Sequence, residues 1–129
     1  MNNDRFKYRV WDTEEKKYVS EYVFVNHHGE VCLIETGYFY QHKTVIEQCT
    51  GVRDRNGTLI YEGDIIKYPW PYGEYVVAWN PKTCRFVTHP IGRPECRASF
   101  CDDFEEFDTT RPVIIGNIHQ NGGDNGKTA

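Results

Sequence analysis

The segment DRNGTLIYEGDIIKY, from Asp54 to Tyr68, decides the fold, because it predicts a turn, a strand, a sharp corner and a second strand. Asn56-Gly57 indicates a type I′ hairpin turn, in which both central residues need positive φ. The Glu62-Gly63-Asp64 corner separates the strand-like runs TLIY and IIKY. Glycine accepts an unusual backbone angle at such a corner, and an aspartate accepts hydrogen bonds from nearby backbone amides. A corner of this kind is typical of the long bent strand in small SH3-like barrels.

The rest of the chain continues this alternation of short strands and turns. Strand-like runs are predicted at Arg5–Asp12, Lys16–Val25, Val31–Gln41, Tyr75–Trp79, Cys84–Pro90 and Pro112–Gln120. His42–Gly51 fits either a short strand or a single helical turn. The spacing of Phe100, Phe104 and Phe107 suits one face of a short helix. We therefore predict a mostly β fold, namely a small SH3-like β-barrel with an N-terminal β-hairpin extension and one short helix.

Length and composition predict one domain. The chain has 129 residues, of which 15% are aromatic, and aromatic residues favour half-buried strands. We assign residues 1–121 to this domain and predict that the Gly-rich polar residues 122–129 form a disordered tail. No apolar run approaches the about 20 residues that span a bilayer, and the N-terminus lacks the apolar core of a signal peptide. A cytoplasmic protein without a membrane partner is expected.

Charge and cysteine content bear on possible ligands. The formal net charge of −4 opposes binding to nucleic acid. The five cysteines have no CxxC spacing, which predicts reduced thiols rather than a metal site: Cys32, Cys49, Cys84, Cys96 and Cys101. His27-His28 precedes a glycine in a predicted turn and is expected to be solvated. Neither a phosphate-binding loop nor a local catalytic motif is present, so no cofactor and no enzymatic activity are predicted.

The Glu62-Gly63-Asp64 corner has two possible roles, a catalytic site or a structural turn. Glu62 and Asp64 are two residues apart, so an extended backbone would direct both carboxylates to one side, as acid–base catalysis can require. The alternative is a turn in which Asp64 bonds to backbone amides. We favour the turn, because no His, Ser or Lys lies nearby in the sequence to complete a catalytic site.

The segment YPWPYGEY is the best candidate for a partner-binding surface. It carries four aromatic residues around two prolines: Tyr68, Trp70, Tyr72 and Tyr75. Aromatic side chains on a stiff loop offer a large contact area at a small entropic cost. The alternative is that they close one end of the barrel.

The segment CDDFEEFD carries a second candidate surface. Its acids are Asp102, Asp103, Glu105, Glu106 and Asp108. The simplest interpretation is the solvated face of a helix whose phenylalanines turn inward. The alternatives are a cation site or an acidic stripe that imitates the phosphates of DNA.

The order of the motifs resembles the YopX family of phage and prophage proteins. The motifs are RFKYRVWD near the start, EQCTGVRDRNGTLIYEGDIIKY in the centre, the VVAWN and RFV hairpin, and VIIGNIHQN near the end. The residues that match the family most specifically are Gln48, Thr50, Gly51, Asp54, Gly57, Tyr61, Glu62, Gly63, Asp64, Gly116 and Asn117. The resemblance covers residues 5–121 and is weaker over Val19–Lys43 and Pro90–Asp108. It implies a β-rich fold and a phage or prophage origin, but no activity.

Three hypotheses for function follow. The leading one is a non-enzymatic accessory protein that binds a host or phage protein through its loops. The second is a nucleic-acid-binding barrel or ribonuclease-like protein, in which Arg53, Arg55 and Lys67 would contact phosphate and Glu62 or Asp64 would be the base. The third is an anti-restriction or CRISPR-inhibiting role for the acidic run. Sheet edges and exposed aromatics also make a homo-oligomer a reasonable expectation.

Overall fold

The computed structural model describes residues 3–100 and 109–122 of the chain. This part contains a 3-10 helix at Asp4–Phe6, eleven strands and one α-helix, α1, at Ile118–Gly122. The strands are β1 (Tyr8–Asp12), β2 (Lys17–Tyr18), β3 (Val23–Val25), β4 (Val31–Leu33), β5 (Thr44–Arg53), β6 (Leu59–Tyr61), β7 (Asp64–Lys67), β8 (Glu74–Asn80), β9 (Arg85–Pro90), β10 (Ala98–Ser99) and β11 (Val113–Asn117).

The first sheet contains the N-terminal hairpin. Its strand order is β2-β1-β5-β6, and β1 pairs antiparallel with β5 along its whole length, from Tyr8 opposite Gln48 to Asp12 opposite Thr44. The predicted N-terminal hairpin therefore exists, but it is an integral part of a sheet rather than an extension. Strand β5, which pairs with β1, runs for ten residues, so the alternative of a single helical turn over His42–Gly51 was wrong.

The second sheet is the larger one. Its strand order is β10-β9-β8-β7-β11, and a separate two-stranded sheet joins β3 to β4. A register shift between Ile114 and Gly116 marks a bulge in β11, as the glycine within this run predicts. Ile60, Ile66 and Val77 form one buried cluster, and Val10, Val19 and Val23 form another. β-branched residues from all three sheets, together with Val19 in the turn before β3, thus supply the core.

The mostly β prediction is confirmed. The sheet structure is a strongly curled half barrel, and an SH3-like closure is not confirmed. The curl has a local cause in β5, whose pairing with β6 shifts register between Cys49 and Arg53. Gly51 lies within this irregular stretch with a φ of +83°. Bulges of this kind bend a strand and increase its twist.

Several local predictions need correction. Gly57 has a φ of +83°, but Asn56 is not among the residues with positive φ, so the turn is not of type I′. The Lys16–Val25 run is divided between β2 and β3, because residues 19–22 form a turn in which the Tyr22 amide donates to the Val19 carbonyl. The strand predicted at Pro112–Gln120 covers only Val113–Asn117, and the helix α1, which was not predicted there, begins at Ile118.

The region assigned to a helix by its phenylalanines is only partly described. Ala98–Ser99 form the edge strand β10, and Phe100 packs against the cluster of Ile60, Ile66 and Val77. Phe104, Phe107 and the acidic run lie outside the described residues, as do Cys101 and residues 123–129 of the predicted tail.

The described cysteines are all free thiols. Cys32 and Cys49 are buried, whereas Cys84 and Cys96 are exposed. Across residues 3–100 and 109–122, no set of three or more His, Cys, Asp or Glu side chains has a geometry that could hold a metal ion. No helix in this part of the chain has the length and apolar character needed to cross a membrane.

Candidate functional site

The Glu62-Gly63-Asp64 corner is held by hydrogen bonds from both backbone and side chain. Asp64 Oδ2 accepts a hydrogen bond from the Tyr61 amide at 2.7 Å. Its Oδ1 accepts from Arg9 Nη2 at 2.8 Å, which joins the corner to β1. The backbone of Gly63 donates to the Val77 carbonyl and accepts from the Ile118 amide. The corner therefore connects β1, β8 and α1 to the beginning of β7.

Glu47 is the centre of a buried ionic network beside this corner. The residue is 1% exposed and lies in the middle of β5. Its Oε1 accepts hydrogen bonds from Arg9 Nε at 2.7 Å and from the Tyr18 hydroxyl at 2.9 Å. Its Oε2 accepts from His119 Nε2 at 2.7 Å, and the His119 ring stacks on Trp11 with centroids 4.2 Å apart. Residues from four separate elements thus meet at one carboxylate.

The electrostatics of the network follow from its burial and its charges. Burial alone would lower the pKa of Arg9, but Asp64 and Glu47 outweigh it and raise that pKa. Burial also raises the pKa of the Tyr18 hydroxyl, and the negative charge of Glu47 adds to the effect. Arg9 therefore stays charged between two carboxylates, and Tyr18 stays a neutral hydrogen-bond donor.

The two corner carboxylates have different surroundings. Asp64 is buried and bonded to Arg9 and to the Tyr61 amide, whereas Glu62 lines an open groove. Burial and the nearby Glu47 raise the pKa of Glu62. The one described hydrogen bond to the Glu62 carboxylate is a long one of 3.4 Å, from the Gln48 amide to Oε1. The arrangement supports the architectural interpretation of Asp64 and leaves Glu62 without a structural partner of comparable strength.

The other family-matching residues hold turns and strand ends. Asp54 Oδ1 accepts hydrogen bonds from the Asn56 and Thr58 amides, and its Oδ2 accepts from the Ile114 amide at 3.0 Å. Thr50 Oγ1 donates to the Ile60 carbonyl. The Gln48 side chain donates to the Arg5 carbonyl. Asn117 Oδ1 accepts hydrogen bonds from the His119 and Gln120 amides at the start of α1.

The four aromatic residues at the connection from β7 to β8 form two pairs, and one of the four, Tyr75, lies in β8 itself. Tyr68 and Tyr75 pack edge to face at 5.8 Å and contact the cluster of Ile60, Ile66 and Val77. Trp70 is 92% exposed and Tyr72 is 69% exposed. Trp70 and Tyr72 are therefore exposed to solvent, whereas Tyr68 and Tyr75 pack on the wall of the half barrel.

Arg53 ends β5 of the first sheet and Arg55 follows it in the turn, whereas Lys67 ends β7 of the second sheet. Lys67 is opposite Val113 in β11, and Arg111, two residues before it, donates to the Arg53 carbonyl at 2.7 Å. Arg55 in turn donates to the Arg111 carbonyl at 2.9 Å. A cleft of about 390 Å³ lies here, and Arg5, Arg53 and Arg111 line it together with Asp4. One of these charges is compensated, because Arg53 pairs with Asp4 at 3.2 Å.

Sequence reasoning missed a second buried carboxylate cluster. Asp12 Oδ1 accepts hydrogen bonds from the Glu14 and Glu15 amides, and its Oδ2 accepts from the Tyr40 hydroxyl at 2.6 Å and lies 2.7 Å from His42 Nδ1. These bonds outweigh burial and hold the pKa of Asp12 well below its usual range. The bond with Asp12 raises the pKa of Tyr40 to about 12. The sequence signal was an aspartate at the end of a strand, directly before a turn.

The geometry defines a β-rich domain whose buried charged residues bond to one another and to the backbone, with exposed aromatic side chains on the β7–β8 loop and an open groove beside Glu62. The family described as YopX protein matches residues 7–123, and the chain belongs to the YopX family.

Among solved structures, the chain is similar to the crystal structure of protein EF1440 from Enterococcus faecalis. The two are 24% identical, the match covers 91% of this chain and 95% of the other, and the TM-score is 0.57. This likeness shows a shared fold. None of the curated proteins matches the chain.

Proposed function

We propose that this YopX-family protein is a non-enzymatic binding module of phage or prophage origin that binds a host or phage protein in the bacterial cytoplasm. The β7–β8 loop is the proposed contact surface, with Trp70 and Tyr72 as its anchors. The observation that carries the proposal is the 92% exposure of Trp70, a side chain that soluble proteins normally cover.

The backbone of the loop supports this assignment. The Tyr68 amide donates to the Gly73 carbonyl at 2.9 Å, and the Tyr72 amide donates to the Pro69 carbonyl at 3.1 Å. At the base of the loop, Lys67 of β7 lies opposite Glu74 of β8 in the antiparallel strand pair. A loop with these internal bonds loses little backbone entropy when a partner binds, which improves affinity. Tryptophan and tyrosine are also the residues that most often dominate a protein–protein interface.

A comparative pull-down from bacterial lysate tests the proposal. The tagged full-length protein and the variant Trp70→Ala/Tyr72→Ala are used as baits, with and without nuclease treatment. We expect the wild type to capture one dominant protein in both conditions. The variant is expected to capture about tenfold less of that protein, because two anchor residues are lost.

The matched control removes two aromatic side chains elsewhere. Tyr38 and Phe39 are 76% and 67% exposed near β4, so Tyr38→Ala/Phe39→Ala removes a comparable exposed aromatic area. This control is expected to retain capture. If the loop variant captures as much protein as the wild type does and both melt at the same temperature, the β7–β8 loop is not the contact surface.

A second candidate function is binding to single-stranded nucleic acid. The observation that favours it is the convergence of Arg53, Arg55 and Lys67 towards the beginning of β11, beside the loop that carries Trp70. Cationic grooves with aromatic platforms suit single strands, although the net charge of −4 opposes phosphate. Fluorescence anisotropy with labelled DNA and RNA at low salt decides it. If neither DNA nor RNA binds at low salt, or if Arg55→Ala/Lys67→Ala leaves the binding unchanged, nucleic-acid binding through these cations is excluded.

A further inference from the structure

A groove of about 430 Å³ lies where the two larger sheets, α1 and the segment after β9 meet. Its lining is mainly aliphatic and also includes His89; the aliphatic residues include Val45, Ile65, Val76, Ala78, Ile91 and Ile118. Ile65 and Val76 are buried and form the floor, whereas Val45, Ile91 and Ile118 are each more than a third exposed and form the rim. An aliphatic chain that entered the groove would cover these rim residues.

Two carboxylates line the groove, those of Glu47 and Glu62. Among the described residues, no Lys, Arg or His forms an ion pair with Glu62. Glu47, in contrast, forms an ion pair with Arg9 and a hydrogen bond with His119. Burial and the neighbouring Glu47 both raise the pKa of Glu62, because both disfavour a second negative charge there. A positive charge placed beside Glu62 would remove this penalty.

We propose that the groove binds a lysine side chain from a segment of a partner protein, with the methylene stem on the aliphatic lining and the ammonium at Glu62. Charge complementarity selects this occupant, since Glu62 is the uncompensated charge of the groove. Lysine side chains commonly lay their apolar stem on hydrophobic surface and keep the ammonium at a polar group. The groove is separate from the β7–β8 loop, so this inference does not depend on the loop as a contact surface.

NMR titration with small probes tests the groove. The probe is n-pentylammonium, which has the chemistry of a lysine side chain, and n-pentanol and pentanoate are its neutral and anionic counterparts. We expect n-pentylammonium to shift the amide signals of Val45, Ile65 and Ile118, n-pentanol to bind more weakly, and pentanoate to give no shift. Equal shifts from pentanoate, or no shifts from n-pentylammonium, would overturn the proposal.

Two variants separate the charge from the apolar lining. Glu62→Gln keeps the shape of the side chain and is expected to weaken n-pentylammonium binding about fivefold while leaving n-pentanol binding unchanged. Ile91→Ser is expected to weaken both probes. Glu21→Gln removes an exposed carboxylate from the turn before β3 and is the matched control, with no expected effect.

The remaining outcomes concern the tail and the loop. If n-pentylammonium binds only after residues 123–129 are deleted, the occupant is this chain's own Lys127 and the partner-lysine proposal is wrong. The variant Trp70→Ala/Tyr72→Ala is expected to bind the probe as the wild type does. Lysate capture that this variant retains, together with intact probe binding, would therefore refute the loop proposal without affecting the groove proposal.

Discussion

Gly63 and Glu47 are in such close contact that no side chain fits between them. A Cβ atom built on Gly63 would lie 2.6 Å from Glu47 Oε2 and 3.1 Å from its carboxyl carbon. The backbone of Gly63 also has a φ of +91°, a conformation that residues with a side chain rarely adopt. The corner thus requires glycine for two independent reasons, and one of them is the ionic network centred on Glu47.

The first prediction separates these two reasons. Gly63→Ala is expected to lower the free energy of unfolding by about 3 kcal/mol, because it adds a clash with Glu47 to the backbone strain. Gly57→Ala is the matched control, since Gly57 has a φ of +83° and nothing within 4 Å of a built Cβ. It is expected to cost only about 1 kcal/mol. Chemical denaturation of both variants checks the difference, and equal losses would contradict the clash.

The second prediction concerns Arg9, which lies between Glu47 and Asp64. Arg9→Met leaves two buried carboxylates without their shared cation, and we expect it to cost about 3 kcal/mol of unfolding free energy. Arg53→Met is the control, because the Arg53 side chain is 50% exposed in its pair with Asp4. Its expected cost is at most about 1 kcal/mol. Urea denaturation gives both values, and a small cost for Arg9→Met would mean that the network contributes little.

The third prediction concerns pH and the pair of Asp12 and His42. The hydrogen bond with Asp12 raises the pKa of His42 above its ordinary value of 6.5. A raised folded-state pKa stabilises the protein fully below the unfolded-state pKa, and this stabilisation is lost as the pH rises through the folded-state pKa. His42→Gln should therefore lower the melting temperature more at about pH 5.5 than at about pH 9.

A double-mutant cycle controls this experiment. In an Asp12→Asn background, the effect of His42→Gln on the melting temperature is expected to be the same at both pH values, because the neutral amide removes the charge that favours the imidazolium. A pH-dependent effect that persists in the Asp12→Asn background would assign it to another carboxylate, such as Glu14, whose Oε1 lies 4.0 Å from His42 Nε2.

The fourth prediction tests the link between Asp54 and β11. Asp54 Oδ2 accepts a hydrogen bond from the Ile114 amide, whereas the Oδ1 atom serves the turn. Asp54→Asn replaces one acceptor oxygen with an amide nitrogen, so one of the two functions loses its partner. Hydrogen exchange is expected to accelerate at the amides of Ile114 or of Asn56 and Thr58. Unchanged protection at all three amides would show that the side chain does not hold these segments.

Local sequence patterns were sufficient for the strands and for the main feature of the corner. Alternation and turn residues indicated the mostly β fold, and the position of Asp64 after a glycine predicted a side chain that accepts from a nearby amide, as Tyr61 shows. The partnership of Asp64 with Arg9 was not predictable, because the two residues are 55 positions apart and lie in strands of different sheets, β7 and β1.

The ionic network was missed because it violates the hydrophobic pattern of a strand. Glu47 occupies a buried position of β5, where an apolar residue is expected, so the alternation of His42–Gly51 was weak and a helical turn stayed open as an alternative. His119 was hidden for another reason. Asn117 ends β11 and accepts hydrogen bonds from the first amides of α1, and this turn directs His119 to Glu47.

The network also sets an order for the folding of the chain. Its contacts are long in sequence, since Arg9 and Glu47 are 38 residues apart and Glu47 and His119 are 72 apart. Chains dominated by such distant pairings fold slowly, because the loop entropy is lost before the contacts form. A ribosome must therefore synthesise nearly the whole domain before Glu47 can meet all its partners. His119 in α1 is thus the last partner that translation makes available to Glu47.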